Sequence, residues 1–166
     1  FGIVSLRLRN AHAQMELSLR QSEERYRSLV EMSPDALLVY RNHQIVFANS
    51  AALRLFGAST TDQILKLSPF DLFYPCFHDH LKKQIETLLA AETTPFFELR
   101  ILRFDGTERF IEAASASFED SEGRAVQIVL RDVTERNEIE QENAWLASYS
   151  QLNPNPVTEA DTDAGS

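Results

Sequence analysis

The sequence predicts an α+β fold: a five-stranded antiparallel sheet with helices on one face, flanked by long helices at both ends. Three observations carry this. Neither Gly nor Pro occurs between Gly2 and Pro34, nor between Gly123 and Pro154, which leaves room for long helices. Short β-rich runs joined by turn residues lie on both sides of a helical insert, as the hairpins of an antiparallel sheet do. The longest runs carry apolar side chains on both faces, so each face needs a cover.

Size and charge narrow the reading. The 166 residues suit one domain of roughly 100–150 residues with appendages, large enough to need no metal or disulfide staple. A single cysteine, Cys76, excludes an internal disulfide framework and fits a reducing compartment. The net charge is −9, and residues 135–166 hold seven acidic side chains against one basic. That balance speaks against a nucleic-acid partner, whose phosphates need clustered Lys and Arg. No run of ~18 apolar residues is present to span a membrane. With no initiator Met and no signal-peptide pattern, the chain reads as a piece of a longer protein.

The elements follow in order. Val4, Leu8, Ala11, Met15, Leu19, Ser22, Tyr26 and Leu29 recur at spacings of three and four, a heptad-like seam with one stutter. Residues 1–31 are therefore expected to form a helix that dimerises as a modest coiled coil. Phe1–Leu6 is apolar and precedes Arg7 and Arg9, which also fits the cytoplasmic end of a transmembrane helix just upstream. Ala36–Tyr40 and Ile45–Ala48 read as a hairpin. Asn49 and Gly57 fit the N-cap and C′ positions of a short helix. Asp71 begins a second short helical segment, and 79–91 a third with Leu81, Ile85 and Leu88 on one face. After Pro95, Phe96–Phe104 and Glu108–Phe118 flank the tight-turn pair Asp105-Gly106. Ala125–Asp132 is the last strand, and a charged helix follows.

Four segments in this order resemble the PAS sensor domain of bacterial multidomain signalling proteins, sensor histidine kinases among them. They are Glu23–Ala36, Ile45–Gly57, Phe104–Ala113 and Leu130–Arg136. The resemblance implies the PAS fold over residues 32–134 and an output linker helix over 135–150. Leu152–Asp161 echoes Met32–Arg41, so 151–166 reads as the start of a following PAS repeat, too polar to fold alone. It also implies that Asp132 and Thr134 couple the last strand to the output helix; ordinary helix capping is the alternative for that pair.

Members of the family often hold a small ligand between sheet and helices. The resemblance assigns the lining to Leu37, Val39, Ile45, Phe47, Ile101, Ile111, Ala113, Ser115, Ile128 and Leu130, closed by Phe56, Leu81 and Ile85. The small side chains of Ala113 and Ser115 leave space. The cofactor is unknown. Flavin photosensors of the family carry their reactive Cys in an Asn-Cys-Arg-Phe-Leu-Gln word that is missing, and Cys76 falls too late in the chain for a photoadduct. Haem-binding members use a His where Pro75 aligns Leu81, so haem would need a slip that brings His78 or His80 into place. Cys76, His78, Asp79 and His80 lack the second ligand pair of a closed zinc site, so no metal is expected. His12 and His43 have no partner that sequence reveals.

No phosphate-binding glycine loop, nucleophile elbow, phospho-accepting His word or cyclase word is present. The expected function is thus a non-enzymatic sensory or relay module of a two-component or phosphorelay protein, cytoplasmic or the cytoplasmic part of a membrane-anchored sensor. Its output would lie in an adjacent histidine kinase or diguanylate cyclase domain. The alternative is a ligand-free dimerisation spacer.

Overall fold

The computed structural model describes residues 2–90 and 93–152. The chain divides after Asp132 into two compact units. The first begins with α1 (Gly2–Met32), followed by β1 (Ala36–Arg41) and β2 (Gln44–Ala48). Next come α2 (Ser50–Phe56), α3 (Pro69–Leu72) and α4 (His78–Ala90), with short 3-10 turns at Thr61–Gln63 and Pro75–Phe77. Strands β3 (Thr93–Leu102), β4 (Glu108–Asp120) and β5 (Gly123–Asp132) close the unit. The second unit contains α5 (Thr134–Leu152). The expected repeat start at 151–166 lies, beyond Leu152, outside the described residues.

The sheet runs β2-β1-β5-β4-β3 and every pair is antiparallel. Its helix-side face is Ala36, Leu38, Leu99, Ile101, Ile111, Ala113 and Leu130, buried together with Ala52, Phe56, Leu72 and Leu81 from the helices. Leu38, Ile101, Ile111 and Leu130 are wholly buried, so truncating any one to Ala costs about 2–5 kcal/mol.

Local chemistry explains the boundaries. Asn49 caps α2 by accepting from Ala52 N–H, and Gly57 ends it at φ 70°, the left-handed region a C′ glycine supplies. Asp71 does not begin α3. It is the third residue of a capping box in which Ser68 caps and Pro69 opens the helix. β3 starts at Thr93, ahead of Pro95, because β3 is an edge strand and its pairing with β4 is irregular between Thr94 and Phe97. There a residue without an N–H breaks no ladder bond.

Candidate functional site

The inner cavity lies between β1, β3, β4, β5 and helices α3 and α4. Its walls include Tyr40, Phe73, Leu81, Ile85, Leu88 and Phe97, with Ala113, Ser115 and Ile128 from the sheet. The cavity volume is about 30 Å³, room for about one water-sized group. Gln84 brings in the one polar helix side chain: its Oε1 is buried without a hydrogen-bond partner, while Nε2 lies 3.3 Å from His80 Nε2. Burial also raises the Tyr40 hydroxyl above its ordinary pKa of 10.0.

The expected lining divides into three groups. Leu81, Ile85, Ala113, Ser115 and Ile128 meet at the cavity. Ile45, Phe56, Ile101, Ile111 and Leu130 lie in the surrounding core. Leu37, Val39 and Phe47 lie on the opposite face, where with Tyr26, Arg27 and Val30 of α1 they line an outer groove of about 560 Å³. For Phe47 the reason is a bulge: Val39 faces Phe47, but Tyr40 faces Ile45, leaving Val46 as the extra residue in β2. Ile45 and Phe47 therefore point to different faces, and β1 turns Leu38 and Tyr40 inward instead of Leu37 and Val39.

The histidines next to the cavity find other partners. Leu81 is the residue buried against the sheet. His78 Nε2 lies 3.1 Å from the Phe73 carbonyl, and the exposed His80 rests on the Phe97 ring at 4.7 Å. Cys76 is exposed, and among the described residues no three His, Cys, Asp or Glu groups converge as metal ligands. His43 does have a neighbour, the Tyr40 hydroxyl at 3.4 Å from Nδ1.

Two joints border this domain. At the α1 end, Glu31 Oε2 accepts from Ser50 N–H at 2.9 Å and from Ser50 Oγ at 2.6 Å. Beside it Asn49 Nδ2 donates to the Val30 carbonyl at 2.9 Å. At the other end Asp132, the last residue of β5, sits opposite Ile111 of β4, and its Oδ2 lies 3.8 Å from Arg109 Nε. Thr134 is the first residue of α5, whose first turn is closed by Asn137 N–H donating to the Val133 carbonyl at 2.9 Å. Sequence reading missed Arg109, Gln84 and the Glu31–Ser50 tie. Arg109 sits inside the Asp-Gly-Thr-Glu-Arg-Phe word, so its position was marked but its partner was not.

This sheet order, the helices packed on one face and an interior cavity form the frame on which comparison rests. Residues 34–135 match the PAS domain family. The chain belongs to the PAS domain family. PAS domains are sensory modules and not themselves catalytic. Sporulation kinase A of Bacillus subtilis is 28% identical over 124 residues, which is 74% of this chain and 20% of that kinase. The chain thus spans about a fifth of that relative's length. Among solved structures, the PAS domain of an HTR-like protein from Haloarcula marismortui superposes with a TM-score of 0.63 at 21% identity, covering 72% of this chain and 98% of that one. A PAS domain from a two-component sensor histidine kinase gives a TM-score of 0.57 at 17% identity, covering 68% and 97%. No helix among the described residues is long and apolar enough to cross a membrane.

Proposed function

We propose that this PAS domain is a relay module of a signalling protein, sensing through its interior and passing the change through α5 to an output domain outside this chain. The observation that carries the reading is the Arg109–Asp132 pair at 3.8 Å, set on the last residue of the sheet before α5. A shift of β5 against β4 changes that pair and so changes where α5 begins. Asp132 and Thr134 are the coupling residues in this reading, with Arg109 on β4 as the partner of Asp132.

The ligand site would be the inner cavity around Leu81, Ile85, Ala113, Ser115 and Ile128, with the unpaired Gln84 Oε1 as its polar handle. At about 30 Å³ it admits only a water-sized molecule unless α4 moves. That volume favours the second reading, a ligand-free dimerisation spacer. In both readings homodimers form through α1, and neighbouring PAS and output domains are the other partners. The similarity to a sporulation kinase supports a histidine kinase as the output.

The test is signal-dependent output of the full-length protein with Asp132→Ala, Arg109→Ala and Thr134→Ala. Each should blunt regulation while the domain stays folded, and unchanged regulation in all three would sink the relay. Native mass spectrometry with absorbance separates the two readings: a bound small molecule supports sensing, an empty dimer the spacer.

A further inference from the structure

A second concavity, sharing no lining residue with the inner cavity, has a different chemistry. It has a volume of about 210 Å³ and opens between α2, the β3–β4 hairpin and the end of β5. Its rim holds Arg54, Arg103, Arg109 and Asp132, three cations against one carboxylate. Its floor is apolar, formed by the buried Ala36, Leu55 and Leu130.

The three arginines are not equivalent. Arg103 is spent on structure: Nε donates to the Leu55 carbonyl at 3.0 Å, Nη2 to the Arg54 carbonyl at 3.1 Å, and Nη1 to Asp105 at 3.0 Å. In doing so it occupies the two α2 carbonyls that would otherwise repel an anion. Arg54 is exposed, and its side chain has no partner among the described residues. Arg109 meets Asp132 only at 3.8 Å, beyond hydrogen-bond range, so its donors are still open to a closer acceptor.

We propose that this concavity binds a small aliphatic carboxylate. The carboxylate takes the open guanidinium donors of Arg54 and Arg109 in charge-assisted hydrogen bonds. The short hydrocarbon part packs against Pro34, the exposed apolar residue of the lining. The volume lies below the roughly 300 Å³ of drug-sized sites, which sets the ligand at a few carbons. In binding, the ligand competes with Asp132 for Arg109. The site is separate from the inner cavity, and its existence does not depend on the relay.

The experiment titrates the isotopically labelled 166-residue chain with butyrate, butyramide or inorganic phosphate at constant ionic strength, followed by NMR. Butyrate should give saturable shifts at Arg54, Arg109 and Asp132, and butyramide none. Arg54→Gln, an exposed change that should leave the fold intact by circular dichroism, should weaken butyrate about tenfold. Equal binding of butyramide would reduce the site to an apolar crevice and overturn the proposal. Phosphate binding as well as butyrate would overturn the carboxylate assignment. Undiminished affinity in Arg54→Gln would overturn the site.

Discussion

Asn49 can make four hydrogen bonds with its side chain, and it makes all four while wholly buried. Its Oδ1 accepts from Leu37 N–H at 2.9 Å and Ala52 N–H at 3.0 Å. Its Nδ2 donates to the Val30 and Asp35 carbonyls at 2.9 and 3.1 Å. One amide therefore joins the end of α1, the start of β1 and the first turn of α2. Sequence spacing exposed only the capping role, because the other partners lie 12 to 19 residues away. The two roles separate in Asn49→Asp. As a cap Asp equals Asn, but it loses both donors and sets a carboxylate against two carbonyls. We expect a loss of about 1–3 kcal/mol in urea unfolding, from two lost hydrogen bonds at roughly 0.5–1.5 kcal/mol each, while the Val30 and Asp35 carbonyls keep the Ser33 N–H and Oγ as donors. A variant as stable as the wild type would confine Asn49 to capping.

Among the elements, the long hairpins have their turns fixed by acids. In the β3–β4 turn, Asp105 accepts from the Thr107 hydroxyl at 2.6 Å and the Thr107 N–H at 2.9 Å, and these bonds hold its carboxyl below the ordinary 3.8. In the β4–β5 turn, Asp120 is lowered by the Glu122 N–H and then by Arg41. Both groups are more acidic folded than unfolded, so the unfolded chain binds more protons just below the ordinary value. Their stabilisation is full above about 3.8 and is lost as pH falls through the lowered values. Thermal unfolding from pH 6 to pH 2 should be flatter for Asp105→Asn/Asp120→Asn than for wild type; identical slopes would refute the turn role. The Asp-Gly turn was legible in sequence because Gly106 takes φ 84° there. The β2 bulge was not, since an extra residue in a pairing leaves no mark in a single strand.

For the whole molecule, the open question is what covers its apolar surfaces. α1 is 31 residues long with no buried residue, and Val4, Leu8, Met15 and Leu19 are each at least 60% exposed. A helix of about 46 Å with no fully buried residue, touching its own domain only near its C-terminal end, needs another surface. We expect the chain to be a dimer by native mass spectrometry and Leu8→Glu/Met15→Glu to be a monomer. A monomeric wild type would refute the seam.

By itself the sequence determined the element order, the caps of α2, the turns and the PAS frame, because these rest on local periodicity and on residues within a few positions of each other. The tertiary structure alone decided which face each strand residue takes. One bulge moved Phe47 out of the expected lining, and the regular pairing of β1 with β5 turned Leu37 and Val39 outward and Tyr40 inward. It alone paired Arg109 with Asp132 and left Arg54 beside them, because register and long-range pairing depend on how distant strands meet.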